Sequence, residues 1–184
     1  SLSHLIRGAL YSVTPGTGQI LTLAYTHTPH ESDYRGSIFT ADLTLYLPGI
    51  TDTQGIILNG NYEKIDYENY IFPSEDLFPR GYDSVRYEEF IQGGIDYAFP
   101  IVDFSLNIWK LIYFKRINGA LFYDIGAGKS DNEYMYYKSA GFELTAEQNL
   151  LSNIYLAIEA GLRYSYCIDT SEHVYEFVIK VPVY

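Results

Sequence analysis

Apolar and polar side chains alternate with a period of two along most of this chain, most plainly from Ile154 to Cys167. There Ile154, Leu156, Ile158, Ala160, Leu162, Tyr164 and Tyr166 alternate with Tyr155, Ala157, Glu159, Gly161, Arg163, Ser165 and Cys167. Successive side chains of a strand point to opposite faces, so this pattern predicts one apolar or aromatic face and one small or charged face. The same alternation sets Phe39, Ala41, Leu43, Leu45 and Leu47 against Thr40, Asp42, Thr44 and Tyr46. It sets Ile91, Gly93, Ile95, Tyr97 and Phe99 against Gln92, Gly94, Asp96 and Ala98. Phe142 and Leu144 oppose Gly141, Glu143 and Thr145, and Tyr175, Phe177, Ile179, Val181 and Val183 oppose Glu176, Val178 and Lys180. About nine such segments are predicted, near residues 4–14, 18–28, 35–48, 55–67, 86–100, 114–127, 134–147, 152–168 and 172–184. No internal repeat and no linker rich in Pro, Gly and Ser divides them, so residues 1–184 are read as one unit.

Long alternating strands arise in a soluble sandwich or lipocalin-like barrel, with the apolar face inward, and in an outer-membrane barrel, with the apolar face outward. Soluble strands run about five or six residues, whereas a tilted membrane strand needs about nine to eleven. The segments are of the longer kind. Their polar face holds mostly Gly, Ala, Ser, Thr, Asn and single acids, as a wet lumen does, rather than the Lys and Glu of a solvated surface. The expected fold is therefore all-β: an antiparallel transmembrane β-barrel, with a soluble barrel binding an apolar ligand as the rival.

Composition sharpens this. Aromatics make up 17% of the chain, with 20 Tyr and 10 Phe, and tyrosine suits a membrane interface, where an apolar ring and a wet hydroxyl are both satisfied. The formal net charge of -11 argues against a nucleic-acid partner, whose phosphates need a basic face. The single cysteine, Cys167, excludes an internal disulfide framework and a cysteine-based zinc site. Transmembrane helices are excluded by the lack of any apolar run of eighteen or more residues, and Ser1-Leu2-Ser3-His4 does not open a signal peptide.

The connections are expected to be asymmetric. If Tyr184 ends the last strand on the periplasmic side, Asp169 to Glu172 is external, Glu147-Gln148-Asn149 periplasmic and Lys129 to Glu133 external. The longest connection, residues 68–85, then lies outside and the short Pro48 to Asp52 turn inside, as in outer-membrane barrels. One connection breaks the pattern: Val102 to Arg116, containing Trp109, is long yet periplasmic, and is expected as an amphipathic segment at the membrane surface.

Two motifs stand out. Phe78-Pro79-Arg80-Gly81-Tyr82 lies in the long external loop, and Phe122-Tyr123-Asp124-Ile125-Gly126 lies on the sixth segment. By parity Phe122, Asp124 and Gly126 face the lumen, and Leu121, Tyr123 and Ile125 face lipid. An acid inside a partly enclosed barrel calls for a cation, which Arg80 could supply as a bidentate partner. Gly81 would permit a tight tip and Gly126 would leave room for it to dock.

On these residues the chain resembles the surface-antigen superfamily of outer-membrane barrels, which includes BamA, TamA and the two-partner secretion transporters. The resemblance covers roughly residues 55–184. It implies an Arg-Gly-Phe/Tyr loop tip, matched by Arg80, Gly81 and Tyr82, contacting a Phe-x-Asp-x-Gly strand motif, matched by Phe122, Asp124 and Gly126. It also implies the C-terminal part of a sixteen-stranded barrel, a terminal assembly signal at Tyr175, Phe177 and Tyr184, and residence in the bacterial outer membrane. Within residues 1–184 no POTRA-like pattern is read ahead of the strands. The stretch Trp109 to Arg116 is more similar to members in which a TolB-type propeller precedes the barrel. Implied partners are outer-membrane lipid and an upstream periplasmic domain or partner subunit.

Other features carry less. Asp42, Glu63, Asp96, Glu143, Glu159 and Glu176 fall on the lumenal face, where they are expected to solvate a wet interior and pair with Arg163 and Lys180. His4, His27, His30 and His173 show no metal-ligand spacing, and neither metal nor cofactor is expected. Gly16-Thr17-Gly18 reads as a turn, Cys167 as inert, and nothing resembles a nucleophile elbow or a paired-carboxylate site, so no enzyme is expected. The expected role is outer-membrane protein assembly or polypeptide translocation, with a non-transporting barrel anchor as the alternative.

Overall fold

The computed structural model describes residues 2–6, 13–27, 36–67, 78–108, 112–130, 133–150 and 156–180. Among them are nine strands and no helix: β1 (Leu2–Ile6), β2 (Thr17–His27), β3 (Gly36–Pro48), β4 (Gly55–Tyr67), β5 (Glu89–Ile108), β6 (Ile112–Ser130), β7 (Glu133–Leu150), β8 (Leu156–Cys167) and β9 (Glu172–Lys180). They form one antiparallel sheet in which every strand pairs with its neighbours in sequence. Such a meander needs only short returns, and the β3–β4 return shows how one is made. Gly49 donates to the Gln54 carbonyl (3.1 Å) and Gln54 to the Thr51 carbonyl (3.0 Å).

The two faces have opposite character, and the exposed one is the apolar one. On β6, Leu121, Tyr123 and Ile125 are 41–53% exposed, whereas Phe122 and Asp124 between them are buried. Ile91 and Ile95 on β5, Phe142 and Leu144 on β7, Leu162 on β8 and Phe177 on β9 extend the exposed apolar face. The covered face holds Thr40, Glu63, Asp96, Asn118, Ser139, Glu143, Thr145 and Ser165. Its apolar patch is small, with Ile38 and Ile65 facing one another across β3 and β4.

Three connections differ from expectation. Most of Val102 to Arg116 is strand: β5 continues to Ile108 and β6 begins at Ile112, while Trp109, Lys110 and Leu111 lie outside the described residues. The alternation fails there because the β5–β6 register slips between Pro100 and Val102 and again between Asp103 and Leu106. Each slip reverses side-chain parity, and Pro100, lacking an N–H, sits beside the first. Glu147-Gln148-Asn149 is likewise not a turn but part of β7, paired with Arg116, Phe114 and Tyr113 of β6. The first segment, expected at residues 4–14, is strand only at Leu2–Ile6, with 7–12 outside the described residues, and Thr17 and Gly18 begin β2 rather than form a turn.

Buried charge on the covered face is paired. A slip between Phe114 and Arg116 places both Lys115 and Arg116 against Glu147 of β7. Lys115 Nζ lies 2.7 Å and Arg116 Nε 3.1 Å from the Glu147 carboxylate, and Arg116 also approaches Asp103 at 3.5 Å. Further along, Arg163 bridges Glu143 (3.0 Å) and Glu176 (3.4 Å), and Lys180 also pairs with Glu143. For Glu143 and Glu176 this is the pairing expected from parity.

Candidate functional site

The described part of the β4–β5 connection, Phe78 to Glu88, lies across the covered face. Its tip is a turn closed by the Tyr82 N–H donating to the Pro79 carbonyl (3.2 Å). Gly81 sits there at φ +89°, where an L side chain is strained, and a Cβ would stand 2.7 Å from that of Ser165. Two requirements, backbone sign and close approach to β8, thus select glycine at this position.

The turn aims Arg80 at β6. Its Nε donates to Asp124 Oδ2 and its Nη2 to Oδ1, both at 2.7 Å, and its backbone N–H reaches Oδ2 at 3.1 Å. Nη1 donates to Asp96 Oδ1 of β5 at 2.5 Å, and the guanidinium carbon stands 3.9 Å above the Phe122 ring. Asp124 is 1% exposed and Arg80 20%. Burial alone would lower the pKa of Arg80, but its hydrogen bonds to Asp124 and Asp96 reverse this and raise it, so the charge is held fixed.

Asp96 links the tip further across the sheet. Asn59 Nδ2 donates to its second oxygen (3.3 Å), and Thr44 Oγ1 donates to Asn59 Oδ1 (3.2 Å), which carries the network to β3. On the other side the Tyr82 hydroxyl donates to the Lys138 carbonyl (2.9 Å) and contacts Asp169 (3.2 Å), and burial raises its pKa. Cys167 Sγ donates to the Gly81 carbonyl at 3.3 Å. Below the tip, Phe78 stacks on Phe90 (centroids 4.5 Å apart) and meets Tyr137 edge-on at 5.2 Å, and the Tyr87 and Tyr137 hydroxyls are hydrogen-bonded.

The structure thus brings Arg80, Gly81, Tyr82, Phe122, Asp124 and Gly126 into one region, with one change of role. Gly126 accommodates Pro79, whose Cγ would be 2.9 Å from an added Cβ, while Gly81 docks on Ser165 and Cys167 of β8. Cys167 is therefore a buried hydrogen-bond donor to the tip. Tyr175 and Phe177 lie exposed on the apolar face of β9, away from this region, and Tyr184 lies outside the described residues.

Asp96, whose parity alone predicts a solvating role and pairing with Arg163 or Lys180, binds Arg80 instead. Its role follows from register, since Gly94 pairs with Asp124 and Asp96 with Phe122, a fact invisible from either strand alone. The aromatic clamp and the Lys115–Arg116–Glu147 cluster also escape sequence reading, because one depends on the loop path and the other on a bulge. No family model, curated protein or solved structure matches this chain.

Proposed function

We propose that this sheet is the membrane-spanning part of a β-barrel of the bacterial outer membrane, of the surface-antigen type, acting in outer-membrane protein assembly or polypeptide translocation. What carries the proposal is the inversion of faces: large apolar side chains are exposed while acids and hydroxyls are covered. In water this arrangement would leave an extensive apolar surface unburied, whereas lipid would satisfy it. Strands β5, β6 and β7 run 20, 19 and 18 residues, more than enough to cross the apolar layer and project beyond it. Closure of the sheet, by itself or through further strands, is part of the proposal, because lipid does not tolerate an unpaired edge.

The covered face would then be the lumen, with the Arg80 tip inserted from the loop end. Seated on β5, β6 and β8, the tip would hold these strands in one arrangement, and passage of a polypeptide would require it to undock. A second reading, a silent barrel that anchors an upstream domain or partner subunit, is favoured by the number of contacts that fix the tip. Planar-bilayer recording separates the two. A translocation pore should open at least transiently and more often in Arg80→Met, whereas an anchor should stay silent in both. Protein that remains monodisperse without detergent would overturn the membrane proposal itself.

A further inference from the structure

The seat that Arg80 fills is built by the sheet and not by the loop. Thr44, Asn59, Gly94 and Asp124 form one register row across β3, β4, β5 and β6, and Asp96 pairs with Phe122 in the β5–β6 ladder beside it. Asp96 is oriented from within this row, because Asn59 holds its second oxygen (3.3 Å) and Thr44 holds Asn59 (3.2 Å), which leaves Oδ1 for the guanidinium. Gly94 makes the room. A Cβ there would stand 2.7 Å from Asp124 Oδ1 and 3.9 Å from Arg80 Nη2, so its missing side chain is the space in which carboxylate and guanidinium meet. All six residues lie on strands, and the ladder that places them does not include the loop.

The shape of the seat selects a guanidinium. Two nitrogens meet the two oxygens of Asp124 at 2.7 Å, the third meets Asp96, and the planar carbon lies 3.9 Å over the Phe122 ring. An ammonium carries its donors on one atom and has no plane to lay on the ring, so it cannot make all of these contacts at once. Nor do the acids form a metal site, since no cluster of three or more metal-ligating side chains occurs among the described residues. The described strands form a single sheet, so what covers Asp124 is the tip itself. Withdrawing the tip strips two carboxylates of their cation, which opposes undocking as it opposes removal of either partner of a buried pair. A second guanidinium entering the seat removes that opposition. The covered face favours such an arrival, because its buried charged side chains are the acids Glu63, Asp96, Asp124, Glu143 and Glu147 against the one base Arg116.

We infer that this seat is a guanidinium-binding site which an arginine side chain of a client polypeptide occupies in exchange for Arg80, so that an arginine-bearing segment releases the tip. The inference rests on the translocation reading proposed above and names the client chemistry which that reading leaves open. Arg80 is then the resident stand-in for the client's arginine. A lysine-bearing segment, equal in charge, leaves the tip seated. The other tip contacts, made by Tyr82, Gly81 and Phe78, involve a phenol, a thiol and aromatic rings and break without stranding a buried charge, so exchange at Arg80 is the step that decides undocking.

The test has two arms, both on the full chain in detergent micelles. In the first, Arg80→Ala empties the seat. Millimolar ethylguanidinium should restore the parent's heat-modifiable gel migration, ethylammonium should not, and the double variant Arg80→Ala, Asp124→Asn should respond to neither. In the second, the parent is given the peptide Gly-Gly-Arg-Gly-Gly or its lysine counterpart, and Cys167, buried beneath the tip, is labelled with a maleimide. At about ten times its dissociation constant for the emptied seat, the arginine peptide should raise the labelling rate roughly tenfold, because a ligand multiplies a minor undocked population by the ratio of its concentration to that constant. The lysine peptide should leave the rate unchanged. Equal rescue by the two cations, or rescue that survives Asp124→Asn, would overturn the guanidinium site. Labelling unmoved by the arginine peptide would overturn the exchange, and this arm needs no variant to fold. Planar-bilayer recording of the parent and Arg80→Met decides the translocation reading separately: silence in both, with the rescue intact, would overturn that reading and the client with it.

Discussion

Removing Arg80 should cost more than removing Asp124, and the two losses should not add. Asp124 is almost wholly buried and takes three hydrogen bonds from Arg80, so Arg80→Met leaves Asp124 and Asp96 facing one guanidinium-sized gap with no cation. Removing one partner of a buried pair typically costs about 3–5 kcal/mol, and the loss of the guanidinium from above the Phe122 ring adds to it. Asp124→Asn leaves Arg80 with Asp96 and one carbonyl oxygen to bind, so about 2–3 kcal/mol is expected, the range for hydrogen bonds to charged groups. The double variant removes the uncompensated charge at Asp124. It should therefore be more stable than the sum of the single losses predicts, with a coupling on the order of 2 kcal/mol. The assay is urea unfolding from detergent micelles, followed by heat-modifiable migration and by Trp109 fluorescence. Costs below about 1 kcal/mol for both single variants, the range of exposed ion pairs, or strict additivity in the double variant, would refute the reasoning that the tip is held by buried charge.

Gly81→Val places a Cβ at φ +89° and against Ser165, so the tip should lift, at a cost on the order of 1–3 kcal/mol from backbone strain alone. Cys167, fully buried beneath the tip in the parent, should then react with a maleimide many times faster; unchanged labelling would show that the tip stays seated. Glu147→Gln removes the carboxylate charge that Lys115 and the 2%-exposed Arg116 share, and about 3 kcal/mol of stability should be lost in the urea assay; a loss within error would show that the charge at Glu147 is dispensable. Burial, and next its hydroxyl contact with Tyr137, raises Tyr87 above its ordinary pKa of 10.0. A group whose folded-state pKa is raised contributes stability that is fully present below the unfolded value and lost as pH rises through the folded one. The stability difference between parent and Tyr87→Phe should therefore be constant from pH 7 to about 9 and shrink only above about 10, and a difference that shrinks below pH 9 would contradict the buried setting.

Period-two alternation determined the larger part of this fold. Facing residues in a strand are set by parity alone, so Phe122, Asp124 and Gly126 could be assigned to one side and Leu121, Tyr123 and Ile125 to the other without knowing any partner strand. Local turn chemistry likewise made a tight tip at Arg80-Gly81 legible, and the acid at Asp124 called for a cation. What alternation cannot carry is register. A single inserted residue reverses parity, and so the slips after Pro100 and Phe114 concealed the ends of β5 and β6, the continuation of β7 through Glu147, and the pairing of Lys115 and Arg116 with one carboxylate. The second acid at the tip, Asp96, belongs to the same class. It is brought beside Asp124 by the β5–β6 pairing and by a loop that returns across four strands, contacts separated by 16 and 44 residues in the chain. Side-chain facing is a local property of an extended backbone and is written in sequence. Which faces meet and which charges find partners depend on long-range pairing, and only the tertiary structure decided these.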